Sequence, residues 1–262
     1  MNIIVCIKQV PDTTDVKIDP KTNTLIREGV KSIINPFDEN AIEEALRIKE
    51  KFGGKVIVIT MGPSQAADAL KTAIAMGADE AVLISDRAFA GADTWATSYT
   101  LSQAIKKIGT FDLVLFGKQA IDGDTAQVGP GVAEFLDIPQ ITFAVNIEID
   151  KENRKIKAKR QLEDSSETIE TNLPAAVTVV KQINEPRMPS LKGQIRAKKT
   201  EIPVWTADDI LAEPDNIGLK GSPTQVVKIF TPPPRGNSQI LEGTPEEIAE
   251  KLFQKLKEQK VL

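Results

Sequence analysis

The densest group of side chains able to do chemistry runs Gly117-Lys118-Gln119-Ala120-Ile121-Asp122-Gly123-Asp124-Thr125-Ala126-Gln127-Val128-Gly129-Pro130. It follows a β-rich apolar run, Leu113 to Phe116, and leads into helical spacing. Backbone N–H groups of Ala126, Gln127 and Val128 at a helix start suit a phosphate, and ligands of open α/β sheets bind beyond the carboxyl ends of strands. On residue chemistry alone Asp122 and Asp124 could equally serve the turn itself, as Asx residues do. The segment is neither a Walker A loop nor a GxGxxG turn.

A second group, Gly91-Ala92-Asp93-Thr94-Trp95-Ala96-Thr97-Ser98-Tyr99, gathers hydroxyls at another helix start. Asp93 or Thr94 can be an N-cap; the hydroxyls and free N–H groups can also hold a phosphate or a polyol chain. Asn35-Pro36-Phe37 and Thr60-Met61-Gly62-Pro63 follow other strand signals and could line the same crevice, although such turns are common. Lys198-Lys199 and Glu163-Asp164 read as solvated surface.

Absences narrow the chemistry. The chain has no histidine, which excludes Ser-His-Asp and Cys-His catalysis and His-ligated zinc within it. Its one cysteine, Cys6, can form neither an internal disulfide nor a cysteine cluster, as fits a reducing, cytoplasmic setting. Apolar runs of about five residues, such as Ile3 to Ile7, are too short to span a bilayer. No secretory signal is expected from the first residues. A net charge of −4 argues against a general nucleic-acid binder.

The elements that must position these groups alternate. Strand signals at 3–7, 56–59, 81–84 and 113–116 are separated by helical spacing at Ile42, Ala45, Leu46 and Lys49, then at Ala67, Leu70, Ala73 and Ile74, then from Thr94 to Ile108. A further helix is expected through Val132, Phe135 and Leu136. Asp38 is the expected N-cap of the first helix and Gly53-Gly54 its end. Strand–helix alternation predicts a mostly parallel, doubly wound α/β sheet. From Phe143, Ile147, Ile149, Ile156, Ala158 and Ile169 alternate with polar residues, which predicts a β-hairpin or meander with one wet face. Ala175 to Val180 is another apolar strand. Residues 184–240 hold half of the sixteen prolines and little periodicity, and are expected to form an extended arm. Thr244-Pro245-Glu246-Glu247 opens a helix with a capping box, and Ile248, Leu252, Phe253 and Leu256 form its apolar stripe. The stiff Thr231-Pro232-Pro233-Pro234-Arg235 stretch would carry that helix away from the domain. The expected division is 1–183, the α/β domain with its hairpin; 184–243, a recognition loop and arm; and 244–262, the amphipathic helix.

Taken in order, these segments resemble the beta subunit of electron transfer flavoproteins. The resemblance is carried by Val5 to Asp12, Asn35 to Ala45, Ala73 to Asp79, Gly117 to Asp122, Asn184 to Arg187 and Ala197 to Lys199, and covers essentially the whole chain. It implies an adenine nucleotide alpha hydrolase-like, Rossmann-like fold and a heterodimer with an alpha subunit that holds a flavin. The family has two branches. In one, the beta subunit holds structural AMP, and the nucleotide loop reads Asp-Asp-Asp-Cys-Asn-Gln-Thr-Gly. This chain has Ala126 for the Asn and Val128 for the Thr. It looks like the other branch, whose beta subunit holds a second FAD, takes electrons from NADH and splits the pair between ferredoxin or flavodoxin and a flavin dehydrogenase such as an acyl-CoA or lactate dehydrogenase. The resemblance implies that Cys6, Asn35 and Met61 meet the adenine end and that Asp122, Thr125, Ala126, Gln127 and Val128 meet the pyrophosphate. Asp93, Thr94 and Thr97 would lie near the flavin and its phosphates. Leu191, in the Pro-bounded loop from Arg187 to Ile195, would anchor in the dehydrogenase, and the C-terminal helix would dock on the alpha subunit. The missing histidine then has a reason, because hydride transfer to a flavin needs stacking and orientation rather than a protein base. A universal-stress-like ATP-binding module is the reading from a different class. It would need a late glycine-rich phosphate loop and a chain about half as long.

Overall fold

The computed structural model describes residues 1–12, 18–19, 24–25, 32–227 and 239–261. The elements in chain order are β1 (Asn2–Cys6), β2 (Gln9–Pro11), β3 (Ile18–Asp19), β4 (Thr24–Leu25), β5 (Ser32–Ile34), α1 (Pro36–Phe52), β6 (Lys55–Met61), α2 (Ala67–Met76), β7 (Glu80–Ile84), α3 (Thr94–Ile108) and β8 (Leu113–Gly117). After them come α4 (Val128–Leu136), β9 (Gln140–Asp150), β10 (Lys155–Gln161), β11 (Ser166–Asn172), β12 (Ala175–Val179), α5 (Leu191–Lys199), β13 (Val204–Trp205) and α6 (Pro245–Glu258). Met1–Val227 form one compact unit, and a second begins at residue 228. Among the described residues no helix is long and apolar enough to cross a membrane.

The main sheet has the order β11-β10-β9-β12-β8-β1-β6-β7-β13. Its centre is parallel, and β9, β10 and β11 form an antiparallel meander at one edge. Both faces of the centre are covered, so its strands read as unbroken apolar runs. Ile3 and Val5 of β1 pack into a core with Ile42 of α1 and Leu70 of α2. Ile4 and Cys6 face the opposite way, into a core with Ile105 of α3 and Val132 of α4. The chain winds outward from β1 through β6 to β7 and then returns to β8 on β1's other side, which makes the ends of β1 and β8 the switch point. The fold is therefore the mostly parallel, doubly wound α/β, Rossmann-like sheet that the alternation predicts.

Local chemistry explains the boundaries. Pro36 occupies the first helical position of α1, Asp38 and Glu39 lie in its first turn, and Gly53 at φ +71° ends it. The N-cap is Asn35; Asp38, the expected cap, lies within the first turn, where its carboxyl accepts the backbone N–H groups of Lys8 and Gly117. In the second unit, Thr244 Oγ1 accepts the Glu247 N–H at 3.3 Å and Glu247 Oε2 accepts the Thr244 N–H at 3.1 Å, a complete capping box for α6. The Thr231 to Arg235 stretch lies outside the described residues.

The reading of 184–240 as an arm needs correction. Residues 191–199, expected as the end of the Arg187 to Ile195 loop and the start of the arm, are helix α5, with Ser190 Oγ accepting the Gly193 N–H at 3.0 Å. The helix lies so close to α2 that a Cβ on Gly193 would meet Ala75 O at 2.0 Å. Arg196 Nη2 donates to Ile74 O at 2.7 Å and to Ala78 O, satisfying carbonyls at the end of α2. β13 then pairs in parallel with β7, Val204 with Leu83 and Trp205 with Ile84, and covers that sheet edge.

The entry to α5 is clasped onto α1. Asn40 Nδ2 donates to Asn184 O at 2.8 Å, and Asn184 Nδ2 donates to Asn40 O at 3.0 Å. Arg187 Nε and Nη2 donate to Glu43 at 2.7 and 3.1 Å, while Nη1 donates to Glu50 at 2.5 Å. The Glu43 side chain is only 4% exposed. Burial works to raise its pKa, and the bonds from Arg187 and Arg47 outweigh that and leave it lowered. Arg187→Leu should lower unfolding stability in urea by about 3 kcal/mol, the low end for orphaning a buried charge because Arg47 remains. Arg187→Lys should recover little, since an ammonium cannot serve two carboxylates in a fork. An unchanged urea midpoint would remove the clasp from the account.

Candidate functional site

A cleft of about 920 Å³ opens at the carboxyl ends of β1, β6, β7 and β8. Cys6, Met61, Phe89, Leu101 and Phe116 give it apolar surface. Polar groups come from the three helix starts that surround it.

The start of α1 holds the floor and the long loop. Asp38 Oδ2 accepts the Lys8 N–H at 2.7 Å and Oδ1 accepts the Gly117 N–H at 3.1 Å, so one carboxyl joins the ends of β1 and β8. Asn35 Nδ2 donates to Gln119 O at 2.9 Å, and Asn35 Oδ1 accepts the Ile121 N–H at 3.1 Å. Beyond this pin, Lys8 Nζ donates to Asp122 Oδ1 at 2.6 Å, and Gln119 Nε2 donates to Asp124 Oδ1. The loop then turns through left-handed residues, Asp124 at φ +56° and Ala126 at φ +55°. Asp tolerates that region through local hydrogen bonding; Ala does not, and such strain gathers at functional turns.

The loop ends at the start of α4. The first bond of the helix is Gly131 N–H to Gln127 O at 2.9 Å, so the N–H groups before it are without intrahelical partners. Gln127, the N-cap, makes no capping bond with its side chain; its Oε1 accepts Thr94 Oγ1 at 2.9 Å. That bond ties the start of α4 to the start of α3. Asp93 caps α3, its Oδ1 accepting the Trp95 and Ala96 N–H groups at 2.9 and 3.1 Å.

Ten of the residues singled out from the sequence line this one cleft: Cys6, Asn35, Met61, Asp93, Thr94, Thr97, Thr125, Ala126, Gln127 and Val128. Asp122 is not on its wall and spends its carboxylate on Lys8. Leu191 lies elsewhere, 76% exposed at the first turn of α5. Sequence reasoning missed Asp38 as a cleft group, the turn Ser85 to Ala90 with Arg87 and Phe89, and Val226. Residues 85–90 follow a strand end at the sheet's carboxyl edge, a signal that could have found them. Val226 carries no such signal.

Burial raises the Asp38 carboxyl from 3.8 to about 7 against the lowering effect of its bonds from Asn35, Lys8 and Gly117. Burial, and then the nearby Asp38 charge, push the Cys6 thiol well up. Burial works to raise Asp93, and hydrogen bonds from Thr224, Ala96 and Trp95 outweigh it and leave it lowered. Among the described residues no group of three or more Cys, Asp or Glu is placed to hold a metal ion.

The sheet and its crevice define a doubly wound α/β protein with a cleft at the switch point, the place where sheets of this kind bind ligands. Residues 22–210 match the family model described as "Electron transfer flavoprotein domain". The chain is 55% identical over 263 residues to "Electron transfer flavoprotein subunit beta" of Thermoanaerobacterium thermosaccharolyticum, covering 100% of both chains. It is 53% identical over 264 residues to "Caffeyl-CoA reductase-Etf complex subunit CarD" of Acetobacterium woodii, again covering 100% of both. It is 47% identical to "Protein FixA" of Azotobacter vinelandii, over 98% of this chain and 94% of the relative. The chain belongs to the electron transfer flavoprotein beta-subunit family.

Asp38 gives the site a pH signature. Between pH 3.8 and about 7 the folded chain keeps a proton there that the unfolded chain has released. Its contribution to stability is therefore complete below pH 3.8 and is lost as pH rises through about 7. A carbon-13 titration of the Asp38 carboxyl should show a midpoint near 7. Asp38→Asn should lose the fall in urea stability that the wild type shows across that window. A carboxyl midpoint near 3.8 would contradict this account.

Proposed function

We propose that this chain is the beta subunit of a heterodimeric electron transfer flavoprotein of the two-FAD kind, and that its cleft holds FAD. The observation that carries the reading is the convergence of Thr94, Thr97, Thr125, Ala126, Gln127 and Val128 on one cleft at the switch point. The loop there has Ala126 and Val128 where the AMP-holding branch has Asn and Thr. The volume is near the top of the roughly 300–1,000 Å³ usual for small-molecule sites, as a dinucleotide-sized ligand needs. The 53% identity to a subunit named for a caffeyl-CoA reductase–Etf complex supports the same branch.

The donor set fits such a ligand. The free N–H groups at the start of α4 suit a pyrophosphate. Arg87 adds a cation at the rim that forms no ion pair among the described residues. The hydroxyls of Thr94, Thr97 and Thr125 suit a polyol chain, and Cys6, Met61 and Phe116 offer apolar surface to a ring system. When bound, FAD would supply acceptance of hydride from NADH and one-electron delivery, chemistry that no side chain here provides. This chain's part is to bind, orient and exclude water. In this reading the alpha subunit takes the apolar stripe of α6, ferredoxin or flavodoxin takes the low-potential electron, and the other electron goes through the alpha-subunit flavin to a dehydrogenase.

Flavin content decides between the branches. The purified heterodimer should release two FAD and no AMP, and replacing Thr125 with Leu together with Gln127 with Leu should leave one. One FAD with one AMP in the wild type would establish the simple carrier instead, and two FAD retained in the double variant would move the flavin elsewhere.

The reading also assigns the exposed trio Met188, Leu191 and Ile195, 87%, 76% and 51% accessible, to the dehydrogenase. A single apolar anchor can dominate a small interface. Leu191→Ala should slow electron delivery to the dehydrogenase at least tenfold while NADH oxidation with an artificial acceptor is retained. A parallel loss of both activities would assign Leu191 to the support of α5.

A further inference from the structure

Beyond Gly218 the chain turns back to the cleft. The Leu219 N–H donates to Ala90 O at 3.0 Å, and the Leu219 side chain lies against Gly91, which at φ +77° has no Cβ to obstruct it. Ser222 Oγ donates to Gly218 O at 2.7 Å and accepts the Asp93 N–H at 2.8 Å. Two residues on, the Thr224 N–H and hydroxyl both donate to Asp93 Oδ2, at 2.9 and 2.7 Å. Val226 then stands on the cleft wall.

Asp93 thus serves two segments with its two oxygens. Oδ1 caps α3, the helix that presents Thr94 and Thr97; Oδ2 holds residues 131 positions away in the chain. Among the described residues, 223–227 make no hydrogen bond other than those of Thr224 to Asp93. Residues 223–227 are exposed, Val226 at 77% and Val227 at 87%, so burial contributes almost nothing. Segments held by a few exposed bonds open at low free energy, and hydrogen bonds to a carboxylate are the strong ones among them.

We propose that residues 222–227 are a strap over the β7–α3 rim of the cleft, latched by Asp93, and that opening of this strap is the step through which the bound nucleotide leaves. Asp93 is then a positioning residue, acting through Thr224 and through the first turn of α3, with no contact of its own to the ligand required. The inference rests on the nucleotide reading of the cleft given above.

The test uses the intact heterodimer and the release of FAD from this cleft, followed by flavin fluorescence after dilution. Thr224→Val keeps the shape and the backbone bond and removes one charge-assisted bond. Release should quicken about tenfold, while the thermal midpoint stays within error because the bond is exposed. Asp93→Asn keeps an equally good cap for α3 but cannot accept both Thr224 donors at Oδ2, and should quicken release at least as much. Unchanged release in both variants would overturn the strap. So would faster release that only tracks a fall in thermal midpoint, since that is general loosening. A wild-type heterodimer with no nucleotide in this cleft would sink the nucleotide reading itself, and the strap with it, before any variant is made.

Discussion

Parallel strands that end at a crevice leave backbone donors with nothing beyond them to pair with, and here those donors are met by the first turn of α1. The carboxyl of Asp38 takes the N–H groups of Lys8 and Gly117, and the amide of Asn35 takes both a donor and an acceptor from the loop after β8. Both side chains are buried, Asn35 fully. A buried amide or carboxyl is tolerated only when its bonds are made, so the ends of β1 and β8 and the loop stand or fall together. Asp38 carries an added cost, the burial that raises its pKa to about 7 against the lowering effect of the bonds it accepts. No Cβ is possible at Gly117, where one would lie 2.3 Å from Asp38 Oδ1. The glycine is there for the carboxyl.

The positioning of α4 depends on equally close approaches. A Cβ on Gly131 would meet Ser98 Oγ at 2.4 Å, and one on Gly129 would meet Thr178 Cγ2 at 2.6 Å. α4 therefore lies hard against both α3 and β12. Trp95 and Tyr99 of α3 meet Phe135 edge-on, with centroids 4.8 and 5.6 Å apart. These contacts set where the free N–H groups of α4 are placed, and the bond from Thr94 to Gln127 links the two helix starts directly. The polar lining of the cleft is thus fixed by packing behind it.

The third constraint is the return of the chain. Residues 184–227 bring α5 onto α2, β13 onto β7 and the segment after Gly218 onto the turn before α3. Each contact adds to what the first half offers: a donor to carbonyls at and just after the end of α2, a partner for the β7 sheet edge, and donors for the second oxygen of the α3 cap. The clasp of Asn184 and Arg187 on Asn40 and Glu43 begins this return. Asn35 to Ala45 and Asn184 to Arg187, which both carry the resemblance to the family, are here two sides of one contact.

The sequence by itself determined the elements whose signals are local. Unbroken apolar runs marked β1, β6, β7 and β8 because both faces are covered, helical spacing marked α1 and α3, and Thr244 to Glu247 spelled out the cap of α6. Most of the cleft residues were legible too, because ligand groups in such a sheet sit where strands end. What the sequence could not show is set by contacts far apart along the chain. α5 has a single buried side chain, Ala197, so no apolar stripe announces it; its place comes from Gly193 and Arg196 against α2. β13 is two residues long and exists only because β7 presents an open edge. Asp38 read as a cap and proved to be a buried brace, and Asp93 read as a cap and proved to hold Thr224 as well. Tertiary structure decided these points because a carboxylate has more hydrogen-bonding capacity than its own helix can use, and only folding brings the distant donors within 3 Å of it.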